Sequence, residues 1–110
     1  ALVKINSYSL RRLNQIQGLG LTILHTAVIA NDIRIVKALI NRKVNLDVKT
    51  SSLNNSGLTA LHIAVQSENP EMVKLLLLAG ADREIKFKGL SALDFAKIAI
   101  NNEIIEMLIE

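Results

Sequence analysis

Two histidines, His25 and His62, are the residues best equipped for chemistry in this sequence. An imidazole can carry a proton or hold a metal near neutral pH. Catalytic or structural metal sites need three or four ligands and outer partners to orient them, and two histidines with no cysteine fall short of that. Ser51, Ser52, Ser56, Ser67 and Ser91 have no base at a motif spacing, and no G-x-S-x-G elbow is present. Gly18-Leu19-Gly20 is a lone fragment of a nucleotide-binding pattern and reads as a turn; no Walker-type loop occurs. Acidic pairs such as Glu103 and Glu106 fall on the outer face of a predicted helix, where carboxylates are solvated. No catalytic, cofactor-binding or metal-binding residues are expected.

The two histidines sit in matching surroundings. Gly20-Leu21-Thr22-Ile23-Leu24-His25-Thr26-Ala27 recurs as Gly57-Leu58-Thr59-Ala60-Leu61-His62-Ile63-Ala64, and again as Gly89-Leu90-Ser91-Ala92-Leu93-Asp94-Phe95-Ala96. The steps between the leading glycines are 37 and 32 residues. A second block repeats too: Ile35-Val36-Lys37-Ala38-Leu39-Ile40, Met72-Val73-Lys74-Leu75-Leu76-Leu77 and Ile104-Ile105-Glu106-Met107-Leu108-Ile109.

Local signals turn each copy into a pair of short helices. Thr22, Thr59 and Ser91 are N-cap residues ahead of the first helices. Asn69-Pro70-Glu71 starts a second helix with a capping amide, Pro at the first helical position and an acid in the first turn. Asp32 and Asn102 are expected to start its equivalents, and Gly80 to end the middle one in the left-handed conformation. Arg34, Lys37 and Asn41 share one face by their spacing, as do Glu71, Lys74 and Leu78, and Glu103, Glu106 and Glu110. The remaining positions are nearly all apolar, which suits helices covered by a neighbour on each side.

The T-x-L-H-x-A blocks, their spacing near 33 residues and Gly80-Ala81-Asp82 together resemble the ankyrin repeat, whose signature is T-P-L-H-x-A. The resemblance covers roughly residues 20 to 110. It implies an all-α solenoid of stacked helix-turn-helix units with projecting β-turn or hairpin fingers. The units are expected at 20–56, with a lengthened finger around Ser51-Ser52-Leu53-Asn54, at 57–88 and at 89–110. Residues 1–19 are expected to be a partial or capping N-terminal repeat, in which Val3-Lys4-Ile5 fall at a second helix and Leu13-Asn14 at its closing turn. The chain thus reads as a segment of something longer. His25 and His62 are expected to bond backbone and threonine groups of the turn, with Asp94 in their place in the third unit. Lys43-Val44-Asn45 departs from Gly-Ala-Asp, and Asn31, Glu68 and Ile100 stand where a glycine usually joins the two helices.

Composition agrees with this class. Half the residues are hydrophobic but only 3% aromatic, which suits layers of small helices. A net charge of +3 without any Lys/Arg block, and with so few aromatics, argues against nucleic acid as partner. No apolar run approaches the ~20 residues of a membrane helix, and no leader with a long apolar stretch opens the sequence. The absence of cysteine suits a reducing, intracellular compartment, cytoplasmic or nuclear. A monomer is expected.

The resemblance also places a binding surface. In ankyrin folds the fingers and the outward ends of the first helices meet a partner protein. The corresponding residues are Leu19, Leu21, Ile29 and Lys49; Asn55, Ser56, Leu58, Gln66, Ser67 and Lys86; then Phe87 at a finger tip, Lys88, Leu90 and Ile98. Leu21, Leu58 and Leu90 would form an apolar ladder across three fingers, flanked by the lysines. Two roles remain open: a module that binds a separate protein, or a docking and spacer segment within a larger one.

Overall fold

The computed structural model describes residues 8–16, 20–51 and 57–110. Leu19, Asn55 and Ser56 lie outside these residues, as do Val3-Lys4-Ile5 and Ser52-Leu53-Asn54. Seven helices occur among the described residues: α1 (Leu10–Leu13), α2 (Ile23–Ile29), α3 (Ile33–Asn41), α4 (Ala60–Gln66), α5 (Pro70–Leu78), α6 (Ala92–Ala99) and α7 (Asn102–Ile109). They form antiparallel pairs, α2 with α3, α4 with α5 and α6 with α7. The first helices stack in the order α2, α4, α6, and α5 also packs on α7.

Each first helix is too short to be stable alone, and its start is fixed by a reciprocal capping box. Thr22, Thr59 and Ser91 accept the backbone N–H of His25, His62 and Asp94, whose side chains in turn accept the N–H of the cap residue. Asp32 and Asn69 cap α3 and α5 through Ile35 and Met72. The cap of α7 is Asn101, which accepts from Ile104, one residue before the expected Asn102. Either amide of the Asn101-Asn102 pair could serve; the turn that precedes them decides.

That turn is the same in all three units. Asn31, Glu68 and Ile100 each adopt a left-handed backbone with φ of 54°. The residue after each then reaches back to close the first helix: Asp32 to the Ala27 carbonyl at 2.9 Å, Asn69 to Ala64 at 3.3 Å and Asn101 to Ala96 at 3.2 Å. This six-residue closure normally uses glycine, and a side chain there costs about 1–2 kcal/mol. The second helices end the same way. Gly80 (φ 97°) ends α5 and Lys43 (φ 60°) ends α3, so the sequence departure at Lys43 leaves the backbone path unchanged. Val44 and Ala81, the next residues, are buried as the closing apolar contacts.

The core lies between the stacked layers. In α4, the middle first helix, residues 60 to 65 are all buried, because α2 covers one side and α6 the other. Leu39, Leu76, Val36, Val73, Met72, Ile104 and Leu108 fill the second-helix layer. Each such side chain contributes about 1.5–3 kcal/mol by leaving water. Arg34, Lys37, Asn41, Glu71, Lys74, Leu78, Glu103, Glu106 and Glu110 are exposed, as their spacing predicts.

Polar bonds register one unit on the next. Asp47 accepts the backbone N–H of Asp82 at 2.9 Å, and Asn14 accepts that of Asn45 at 2.7 Å. Asn31 and Asn69, the residues of successive inner turns, are joined through their side chains. Arg83 reaches from the loop after α5 to the Leu108 carbonyl at 2.9 Å, where its charge opposes the negative end of α7.

Candidate binding surface

The fingers begin with Lys49-Thr50 and Lys86-Phe87 and return at Leu58 and Leu90. In the later finger, Phe87 and Leu90 exchange backbone hydrogen bonds of 2.8 and 2.9 Å. Lys88 (φ 50°) and Gly89 (φ 81°) turn the chain between them, both central residues being left-handed, the geometry that joins twisted strands in two residues. In the earlier finger the same closure is made by Thr50: its N–H meets the Leu58 carbonyl at 2.8 Å and its carbonyl accepts from Gly57 at 2.7 Å. Its hydroxyl accepts from the Leu58 N–H at 3.1 Å. Gly57 (φ 99°) is left-handed, as Gly89 is in the next unit.

The histidines tie each finger to the helix of the unit before it. The Thr22 N–H lies 2.9 Å from His25 Nδ1, and a backbone N–H can only donate, so Nδ1 carries the lone pair. The ring proton is therefore on Nε2, which donates to the Val48 carbonyl at 2.8 Å. His62 uses the same two nitrogens, with Nδ1 at 2.8 Å from the Thr59 hydroxyl, but its Nε2 meets the returning side of the finger, at 3.0 Å from the Leu90 carbonyl. Burial lowers the pKa of both rings, and Lys49 adds to the effect at His62. In the third unit, Asp94 accepts from Ser91 N–H at 2.9 Å. Those hydrogen bonds with Ser91 hold the Asp94 carboxyl below its ordinary range. A carboxylate fills the capping role but has no proton to give a following finger. With both nitrogens engaged, neither imidazole presents a lone pair outward for a metal, and among the described residues no three His, Cys, Asp or Glu side chains converge.

The surface around this frame differs from the expected ladder. Leu58 is only 5% exposed and belongs to the core. Leu21 and Leu90 are half-buried. The reason is strand direction: the residue after the finger glycine returns toward the helix layer, and its backbone is tied to the opposite strand. Phe87 is not at a tip. It is half-buried, its ring meets Phe95 edge-on at 6.0 Å between centroids, and Phe95 meets His62 at 4.8 Å. The tip is Lys88-Gly89.

Lys49, Lys86, Lys88, Gln66, Ser67, Ile29 and Ile98 are exposed. Ile29, Gln66 and Ile98 occupy one place in three successive helices, four residues after His25, His62 and Asp94. Ala30 and Ala99 are exposed beside them. Thr50, buried and holding the finger base, is a structural position that the sequence does not flag, because its counterpart in the next unit is Phe87. Leu78, Ile100 and Ile109 are further exposed apolar residues away from this row. Leu78 borders a groove of about 400 Å³ with Lys74, Leu77, Arg83, Met107 and Glu110.

A family model describing ankyrin repeats in three copies matches residues 1–87 and again residues 54–110. A comparison with curated proteins gives no match. No helix among the described residues is long and apolar enough to cross a membrane. Paired helices in register, histidine-threonine capping boxes, hairpin fingers and this match converge on one assignment: the chain belongs to the ankyrin-repeat family, whose members are typically non-catalytic and generally serve as protein-binding modules.

Proposed function

We propose that this chain binds a partner protein across the row formed by the finger lysines and the outward ends of α2, α4 and α6. The observation that supports this reading most is the exposure of Ile29 and Ile98, 55% and 68%, at equivalent places in separate units, with Gln66 between them. Isolated exposed isoleucines need no explanation, but two in register on one face, rimmed by lysines, have the pattern of a contact surface. The contact set is Ile29, Gln66, Ser67, Ile98, Lys49, Lys86 and Lys88, with the half-buried Leu21 and Leu90 at its edge. The units that carry it are 20–56, 57–88 and 89–110.

A pull-down comparing the chain with an Ile29→Arg, Ile98→Arg double variant tests the reading. Both positions are solvent-facing, so circular dichroism should be unchanged. Capture of a partner by the parent and its loss by the variant is the expected result. Equal capture by both would move the site elsewhere. The groove beside Leu78, which supports an intramolecular docking role instead, is then the next surface to mutate.

A further inference from the structure

Charge on the proposed contact face is one-sided. Among the described residues of the fingers and first helices, Asp94 is the only carboxylate, and Ser91 already occupies it. Against it stand Lys49, Lys86, Lys88 and Lys97, all exposed. Lys49 and Lys86 hold the same place in successive fingers. Lys88 overlies Phe87, whose ring meets Phe95, which in turn meets His62, so the finger tip and the middle first helix are joined through one aromatic contact chain. Lys49 acts on His62, and Lys86 and Lys97 act on Asp94. Lys88 Nζ lies 5.3 Å from the centre of the Phe87 ring. The remaining acids of the three units lie on the inner turns, the second helices and the loops that leave them, with Asp47 and Glu84 each two residues before a finger lysine.

We propose that this region recognises an acidic peptide segment of the partner that also carries apolar side chains. The proposal rests on the binding face named above and specifies its ligand. Carboxylates of the segment meet Lys49, Lys86, Lys88 and Lys97, and an apolar side chain meets Ile98, one helical turn beyond Asp94 on the same face. Nucleic acid fits less well. Base stacking needs an open ring face. Phe87 and Phe95 are half-buried edge-on to each other, and the Phe87 ring is in contact with an ammonium group.

The test uses three fluorescein-labelled probes: a twelve-residue peptide of alternating Glu and Leu, the same peptide with Gln for Glu, and a single-stranded oligonucleotide. Anisotropy is measured with the parent chain, with Lys49→Glu, Lys86→Glu, and with Lys37→Glu, Lys74→Glu, which alters net charge equally on the second helices. Lys88→Asn is a fourth protein. Asn adopts the left-handed turn more cheaply than Lys, so this variant loses a charge without loss of fold.

The acidic peptide should bind best and weaken with salt. The finger pair should reduce its affinity about tenfold, Lys88→Asn about threefold and the second-helix pair less than twofold. Equal losses from both double variants would overturn the proposal, since net charge alone would explain them. So would tighter binding of the oligonucleotide, lost with the same lysines. If the Gln peptide bound as well as the Glu peptide and lost affinity on Ile98→Arg, the acidic ligand would be wrong while the binding face stood. If no probe bound, the acidic-peptide proposal would fall, and the Ile29→Arg, Ile98→Arg pull-down would judge the face by itself.

Discussion

His62 and Leu90 are joined across the boundary between two repeats, with the imidazole Nε2 at 3.0 Å from the carbonyl oxygen at the base of the next finger. The other ring nitrogen meets Thr59, so one side chain caps its own helix and holds its neighbour's hairpin. His62→Ala removes both contacts and leaves a cavity beside Phe95. A loss of about 2–4 kcal/mol is expected in urea denaturation. A loss below about 0.5 kcal/mol would show that the apolar layers alone hold the boundary.

Acid should weaken the molecule through the same two rings. Burial lowers the pKa of His25 and His62, so over the intervening pH range the unfolded chain binds protons that the folded one refuses. Their stabilisation is complete above the unfolded value of about 6.5 and declines as pH falls from there through the folded values. Melting temperature should drop between pH 7 and pH 5. A His25→Gln, His62→Gln double variant should be less stable at pH 7 but flatter across that interval. An equally steep decline in the variant would assign the pH dependence to other groups.

Burial separates two residues that resemble each other in sequence. Leu58→Ala is expected to cost about 2–4 kcal/mol, because its side chain fills the core beneath the finger. Ile98→Ala should stay within about 0.5 kcal/mol, since that side chain is 68% exposed. Chemical denaturation of both variants, followed by circular dichroism, checks the contrast. Similar values for the two would place Leu58 on the surface after all.

The left-handed turns give a prediction of opposite sign. Glu68→Gly relieves a side chain held at φ 54° and should stabilise the chain by up to about 1 kcal/mol, after the added freedom of the unfolded state is deducted. Gly80→Ala should cost about 1 kcal/mol for conformational reasons alone, because a Cβ there meets nothing within 4 Å. Thermal melts of the two single variants should therefore move in opposite directions.

Features set by residues close in sequence are legible in the sequence itself. The Thr22-His25 and Thr59-His62 pairs, the Asn69-Pro70 start and the left-handed turns at Asn31, Glu68 and Ile100 each depend on groups within a few positions of one another. The helix α7 does start at Asn102, but its cap is Asn101, because adjacent asparagines offer the same chemistry. Leu58 and Phe87 depart from their expected exposure for a different reason. Which way a finger strand faces depends on its partner strand and on the unit stacked behind it, and neither is encoded locally. The role of Thr50 was hidden because its equivalent, Phe87, performs the backbone part of the task with an unrelated side chain.

The closure at Thr50 separates what happens beyond it from what happens below. Its N–H, carbonyl and hydroxyl all engage Gly57 or Leu58, so the two strands enter the helix layer at the same spacing whatever number of residues joins them. Finger length is thereby uncoupled from helix stacking, and lengthening it costs only the slow logarithmic entropy of a larger loop. The position works as a graft site. A recognition sequence inserted between Ser51 and Gly57 would leave that closure in place, so that new specificity could be acquired there without redesigning the core.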